Sequence, residues 1–192
     1  MDEKFPDLSI VVPVYNSQDT LITLCSRITK LMAATQTRFE LIFVNDGSSD
    51  SSWDVILNLA KQSDFIKGIN LMCNFGQHNA LLCGIREAQY DVTITMDDDL
   101  QHKPETIPIL LAKMHEGFDV VYGSPKEERH GILRDAASIL TKAALSSVMN
   151  VKSARHVSAF RVFKTKLRNA FASYNSPNVS IDVLLTWGTD RI

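Results

Sequence analysis

Apolar runs of strand length alternate along the chain with segments whose apolar residues recur every three or four positions. The first run, Leu8-Ser9-Ile10-Val11-Val12-Pro13-Val14, is nearly continuous and β-branched, as expected of a strand buried on both faces. Tyr15-Asn16-Ser17 reads as a turn, and Leu21, Leu24, Ile28 and Leu31 then mark an amphipathic helix. A second strand is predicted over Phe39–Val44, ended by Asn45-Asp46-Gly47-Ser48-Ser49-Asp50. Asp50 or Ser51 is the candidate cap of a helix reaching Lys61, with Trp53, Ile56 and Leu59 or Ala60 on its buried stripe. A third strand is predicted over Gly68–Met72, followed by the loop Cys73-Asn74-Phe75-Gly76 and a helix from Gln77 to Ala88. The fourth strand, Asp91–Met96, runs straight into Asp97-Asp98-Asp99. Pro104 fits the first turn of the next helix, where a missing N–H costs nothing, and Phe118–Gly123 reads as a fifth strand.

Strands alternating with helices predict an α/β domain with an open, mostly parallel central sheet covered on both faces. In such sheets the ligand site lies at the carboxyl ends of the strands. The polar clusters at 15–17, 45–50, 73–78 and 97–102 all fall there, so four separate segments converge on one rim. After Gly123 the pattern loosens. Pro125–Arg134 reads as a charged loop, Ile132–Met149 as a helix, Val157–Phe163 as a strand or extended segment and Ile181–Trp187 as a short helix. There is no internal repeat and no low-complexity tract.

A chain of 192 residues, 45% apolar and 22% charged, has the composition of one soluble globular domain, which excludes a disordered, collagen-like or disulfide-stapled protein. Cys25, Cys73 and Cys83 show no CxxC spacing and read as reduced thiols of a cytosolic protein. Asp2-Glu3-Lys4 opens the chain and the first apolar run is only strand-long, so no signal peptide is expected. No run approaches the ~20 apolar residues of a membrane span. The net charge of −2 hides an asymmetry: residues 1–125 carry 9 Lys+Arg against 17 Asp+Glu, and residues 126–192 carry 11 against 5. An acidic first part suits a metal site, and a basic second part suits an anionic partner. Two oppositely charged solvated faces of one domain explain the numbers equally well.

Three adjacent carboxylates repel one another unless a cation is present, so Asp97-Asp98-Asp99 favours a hard metal such as Mg²⁺ or Mn²⁺. In an extended segment Asp97 and Asp99 share one side while Asp98 points away. A solvated acidic turn capping the Pro104 helix is the alternative. Asn45-Asp46-Gly47-Ser48 can accept from a base N–H or a ribose hydroxyl, or can form an Asx-turn that merely caps a helix. Gly76-Gln77-His78-Asn79 opens a helix, where backbone N–H groups and the dipole favour an anion. The chain has neither GxGxxG after the first strand nor GxxxxGK[ST], which leaves dinucleotide dehydrogenases and P-loop enzymes unsupported. His102, His115, His130 and His156 are scattered and read as surface or structural residues.

Val11-Val12-Pro13-Val14-Tyr15-Asn16, Val44-Asn45-Asp46-Gly47-Ser48-Ser49-Asp50 and Asp97-Asp98-Asp99-Leu100-Gln101-His102 together resemble a family 2 glycosyltransferase of the GT-A fold. Asn74-Phe75-Gly76-Gln77-His78-Asn79-Ala80-Leu81-Leu82-Cys83-Gly84, followed by the acidic loop and Pro104-Glu105, is similar to the polyprenyl-phosphate glycosyltransferases, which include the dolichyl- and undecaprenyl-phosphate sugar transferases. The resemblance covers about residues 6–165 in unbroken order. It implies one catalytic domain over 1–192, with a nucleotide-sugar part over 1–123 and an acceptor-side part over 124–192. The second part is expected to be cut short, because the chain stops at Asp190-Arg191-Ile192 without a terminating element.

The resemblance also implies roles. Pro13, Tyr15, Asn16, Asn45 and Asp46 would hold the nucleotide, with Gly76 and Gln77 at the opening of the third helix and with Asp97 and Asp98 beside it. Asp97, Asp99 and Gln101 would hold Mg²⁺ or Mn²⁺. Arg129 and Arg134 would grip the lipid phosphate, with Arg134 joining Asp97 and Asp99 in catalysis, and Arg161 of Ser158-Ala159-Phe160-Arg161 would face the phosphates. The family often has Arg where this chain has Cys73, a basic triplet where it has Gly123-Ser124-Pro125, and sometimes an acidic residue where it has Ala159. The implied reaction is inverting attack by a lipid-phosphate oxygen on a nucleotide-diphosphate sugar, UDP favoured, at the inner face of the cytoplasmic membrane, with no nucleic-acid partner. A phosphate monoester with a second pKa of about 6 is already largely dianionic at neutral pH, so it needs little help from a base. A glycan-extending transferase with a sugar hydroxyl acceptor needs a carboxylate base, for which Asp182 is the late candidate. A module that binds nucleotide sugar or lipid phosphate without turnover is the third reading.

Overall fold

A computed structural model of the chain describes residues 5–123 and 158–192. Six strands form one sheet in the order β3-β2-β1-β4-β6-β5. The first four, β1 (Leu8–Val14), β2 (Phe39–Asn45), β3 (Ile66–Asn70) and β4 (Val92–Thr95), run parallel. Two right-hand members depart from that: β6 (Arg161–Lys164) is antiparallel to β4 on one side and to β5 (Val120–Tyr122) on the other. The expected mostly parallel sheet is therefore present, and where a strand or extended segment is expected over Val157–Phe163 the antiparallel strand Arg161–Lys164 lies between β4 and β5. The predicted fifth strand is trimmed from Phe118–Gly123 to three residues.

Period-two alternation sorts the strand side chains onto two faces. Leu8, Ile10, Val12 and Val14 of β1 join Leu41 and Phe43 of β2 in one buried cluster. α1 (Leu21–Ala34), α2 (Ser52–Gln62) and α4 (Ile107–His115) cover it with Leu21, Leu24, Ile28, Ile56, Ile107 and Leu111. Val11, Ile42 and Val44 point the other way and meet α3 (Gln77–Glu87), a 3₁₀ segment at Thr165–Phe171 and α5 (Ile181–Thr186). All seven residues of β1 are buried, which accounts for its unbroken apolar reading. The 3₁₀ segment had no periodic signature in the sequence. Within α2, Ile56 is fully buried while Trp53, Leu59 and Ala60 pack only partly, as an amphipathic helix at the sheet edge requires. Ser51 holds the N-cap position without a side-chain bond, and Asp50 Oδ1 instead accepts the Ser52 N–H at 2.9 Å.

The third strand begins earlier than its pattern indicates. Pairing sets Ile66 opposite Leu41 and Asn70 opposite Asn45, so Leu71 and Met72 already lie beyond the ladder. The α3 helix packs so close to the sheet that a Cβ on Gly84 would lie 2.4 Å from Val11 Cγ1 and 3.0 Å from Val44 Cγ2. At the other end of the sheet, Asp119 accepts from Lys164 Nζ and from Thr189 Oγ1 (2.7 Å), which ties the last residues to β5 and β6.

Two predictions follow from this packing. Gly84→Ala overpacks the α3 contact and is expected to cost about 1–3 kcal/mol, a midpoint fall of roughly 2–4 °C per kcal/mol in thermal unfolding. Hydrogen bonding from Lys164 and Thr189 holds the Asp119 carboxyl below its ordinary value. A depressed carboxyl contributes stability above its unfolded pKa of about 3.9 and loses it as pH falls through the lower folded value. The stability gap between the wild type and Asp119→Asn is therefore expected to be largest near neutrality and to close below about pH 4, measured by urea unfolding across pH.

Candidate functional site

The carboxyl ends of β1, β2 and β4 and the loop after β3 surround a cavity of about 390 Å³. Pro13, Val14 and Tyr15 follow β1, Asp46 follows β2, Asn74, Gly76 and Gln77 lead into α3, and Asp97, Asp98 and Asp99 follow β4. The expected convergence of four segments on one rim is what the structure shows.

These loops are cross-braced. Asn16 sits in the left-handed region (φ 54°), so its N–H donates to Ser48 Oγ at 3.0 Å while its Oδ1 accepts the Ser49 N–H at 2.8 Å. The Ser17 N–H donates to Ser52 Oγ (2.8 Å) and the Gln18 N–H to Asp50 Oδ2 (3.1 Å). Asp46, 3% exposed, accepts the Phe75 N–H at 2.7 Å and so pins the loop that opens α3. Directly beside it Gly47, at φ +68°, approaches Cys73 and Asn74 so closely that a Cβ would lie 2.5 Å from the Asn74 nitrogen.

The acidic turn is bent rather than extended, which corrects one expectation. Leu100 adopts φ 64° while its side chain packs against the α1-side core, and the chain bends through Asp98 and Asp99. Asp98 is turned toward the first loop, where its Oδ2 accepts the Tyr15 N–H at 3.3 Å, and all three aspartates are among the residues that line the cavity. A leucine held in the left-handed region costs about 1–3 kcal/mol, and such strain gathers where geometry serves function.

Burial is the main force raising the Asp97 carboxyl above its ordinary range; His102 opposes it, and the neighbouring Asp99 and Asp98 add to it. Burial likewise raises Asp98, against hydrogen bonds from Ser17 and the Tyr15 amide. Gln77 Nε2 donates to Asp97 Oδ1 at 2.5 Å, and His102 Nδ1 stands 4.0 Å from Asp97 Oδ2 with no hydrogen-bond partner among the described residues. Hard carboxylate oxygens that are crowded and partly desolvated fit a divalent cation such as Mg²⁺ or Mn²⁺, which relieves both burdens. Among the described residues no three His, Cys, Asp or Glu side chains form a ready-made metal cage. Mg²⁺ commonly needs only one or two protein carboxylates, the rest of its shell coming from substrate phosphates and water.

Some residues named from sequence lie elsewhere. Asn45 is 2% exposed, and its amide donates to Asn70 Oδ1 at 2.7 Å behind the cavity rather than in it. Asn16 braces loops and does not line the cavity. Gln101 is exposed and reaches the acidic turn through its backbone, whose N–H donates to Asp99 Oδ1 at 3.0 Å. Arg161 does not open onto the cavity. It is 2% exposed, Nη2 pairs with Asp182 at 3.0 Å, and Nη1 donates to Thr95 Oγ1 at 3.2 Å. Packing against Tyr122 and α5 imposes this, because β6 is an interior strand. Arg129 and Arg134 lie outside the described residues. Val14 and Asn74 line the cavity although sequence reasoning gave them no role; their place just beyond β1 and β3 was the available signal. The seat of the His102 imidazole left no linear trace, since Ser158 (3.3 Å) and the Phe160 ring hold it from 56 and 58 positions away.

Comparison with known proteins agrees with this geometry. The family model described as "Glycosyl transferase family 2" matches residues 9–174. An undecaprenyl-phosphate 4-deoxy-4-formamido-L-arabinose transferase of Proteus mirabilis is 32% identical over 183 residues, covering 95% of this chain and 56% of that protein. The protein of that name from Salmonella choleraesuis is 39% identical over 132 residues, covering 68% and 40%. The chain thus spans about half the length of the curated relatives it matches. Among solved structures, glucosyl-3-phosphoglycerate synthase from Mycobacterium tuberculosis, crystallised with Mn²⁺, UDP-glucose and phosphoglyceric acid, superposes with a TM-score of 0.64 at 16% identity, over 86% of this chain and 59% of that one. That likeness concerns the fold, which is of the GT-A type.

The Gly47 crossing yields a direct test. Gly47→Ala places a methyl group against the Asn74 amide in a strained backbone, and is expected to cost about 1–3 kcal/mol in urea unfolding and to shift the NMR resonance of the Phe75 amide.

Proposed function

Because the chain belongs to glycosyl transferase family 2, we propose that it moves a sugar from a UDP-sugar to a polyprenyl phosphate. The observation that carries this reading is the cavity at the strand ends, lined by Asp97, Asp98 and Asp99 together with Pro13, Tyr15, Asp46, Gly76 and Gln77. Relatives whose names specify undecaprenyl phosphate support the acceptor, and the sugar in those names is the first donor to try. A GT-A neighbour crystallised with Mn²⁺ and UDP-glucose supports the donor.

In this reading Asp46 and the backbone around Pro13–Tyr15 receive the nucleoside, and Asn16 and Asn45 act behind them by holding those loops. Asp97 and Asp99 hold the divalent cation, with Gln101 contributing through its bond to Asp99. The chemistry that Mg²⁺ or Mn²⁺ supplies when bound is neutralisation of charge developing on the leaving diphosphate. An oxygen of the acceptor phosphate forms the new bond to the anomeric carbon as the bond from that carbon to the diphosphate oxygen breaks, and the electron pair leaves on UDP with inversion. Arg129 and Arg134 remain the proposed contacts to the acceptor phosphate, and Arg134 the proposed catalytic cation.

The fate of Asp182 favours a phosphate over a sugar hydroxyl as acceptor. That carboxylate is 6% exposed and already bonded to Arg161 and Tyr122, so it is not placed to take a proton from a sugar. A dianionic phosphate requires no such base. No helix among the described residues is long and apolar enough to cross a membrane. We place the reaction where the lipid phosphate presents its headgroup, at the inner face of the cytoplasmic membrane.

Thermal unfolding with UDP, GDP, dTDP or CDP, each with Mn²⁺, Mg²⁺ or EDTA, tests the donor half. UDP with metal at 100 times its Kd is expected to add about 2.7 kcal/mol, or a midpoint rise of roughly 5–11 °C. EDTA and Asp99→Ala should each abolish the rise. No shift with any nucleotide and metal defeats the reading.

A further inference from the structure

The Asp97 carboxylate is held by Gln77 and the strand end that carries it is held at Thr95, and both contacts lead back to the first turn of α5. On one side Gln77 donates to Asp97, and its neighbour His78 accepts the Ile181 N–H at Nδ1 (3.3 Å). Accepting at Nδ1 requires that nitrogen to be unprotonated, and burial holds His78 below its ordinary value, which keeps the ring neutral. On the other side Thr95, two residues before Asp97, receives Arg161 Nη1, and Arg161 Nη2 pairs with Asp182.

The register makes this second brace rigid. Arg161 stands opposite Thr95 in β4 and opposite Tyr122 in β5, so the three residues form one row across three strands, just before the acidic turn. Thr95 Oγ1 also donates to the Ala159 carbonyl at 2.8 Å. Asp182 Oδ1 closes the row, accepting from Arg161 and from the Tyr122 hydroxyl at 3.1 Å. Burial and the adjacent Asp182 charge push the Tyr122 hydroxyl far above its ordinary value, so it remains a donor. None of these residues lines the cavity. A buried ion pair is weak evidence of stabilisation, since desolvation consumes most of its attraction. Its location under the metal-facing turn gives it a different use.

We propose that the Ile181–Asp182 turn is the positioning element for Asp97, and that Asp182 is a positioning residue for cation binding, acting through Arg161 and Thr95 while Ile181 acts through His78 and Gln77. This rests on the donor reading above. Groups one shell out from a metal ligand typically change metal affinity roughly 10–100-fold when altered. Asp182→Asn keeps an acceptor oxygen but removes the charge that holds Arg161. His78→Ala cuts the other brace and serves as the second variant should Asp182→Asn fail to fold.

The test is Mn²⁺ affinity in saturating UDP, followed by electron paramagnetic resonance on the whole chain, well below each variant's thermal midpoint. The wild type should bind Mn²⁺ and Asp99→Ala should not. Folded Asp182→Asn and His78→Ala are each expected to bind Mn²⁺ roughly 10–100-fold more weakly. A variant with a lowered midpoint but wild-type Mn²⁺ affinity would show a merely structural role and overturn the inference alone. A wild type with no UDP-dependent Mn²⁺ site would defeat the donor reading and this inference with it.

Discussion

A strand covered on both faces can carry no chemistry along its length. All seven residues of β1 are buried, β1 pairs along its length with β2 and over Leu8–Val11 with β4, and its apolar side chains divide between two cores. Polar function is thereby displaced to the points where ladders run out. In parallel strands these points lie together, because all the carboxyl ends face the same way. The cavity, its three carboxylates and its braced loops are consequences of that single constraint.

What keeps the rim in shape is a set of short hydrogen bonds between loops distant in sequence. Asn16 joins the first loop to the second, Asp46 joins the second to the third, and Asp98 joins the fourth back to the first. Each uses a short Asn or Asp side chain to satisfy a backbone N–H of another loop. Asn16 and Asn45, which look like nucleotide contacts in a motif, are bonded instead to Ser48 and Ser49 and to Asn70.

Legibility in the sequence followed locality. The order of strands and helices and the convergence of polar clusters could be read, because buried parallel strands and amphipathic helices leave strong periodic signals. Asp97, Asp98, Asp99 and Asp46 were readable for the same reason, each lying at the end of such a strand. The direction of β6 was not, since pairing beside β4 depends on a contact between Thr95 and Arg161, 66 positions apart. Arg161 was assigned an open position from its motif, whereas its actual surroundings come from Tyr122 and Asp182, on separate elements whose packing against it no local pattern records. The turn at Leu100 was hidden because nothing in a leucine announces a positive φ.

The late insertion of β6 bears on how the chain is made. Among the described residues β5 pairs with no strand but β6, and β6 ends at Lys164. A nascent chain that has emerged only as far as Tyr122 can build β1 to β4, but it leaves the β4 edge open and β5 without a partner. Open edges invite pairing with other chains. The Arg161–Thr95 contact across that edge, just before the acidic rim, can therefore form only after residue 161 has been synthesised. Stalled or clipped products ending before β6 should accumulate as sticky intermediates, not as small working domains.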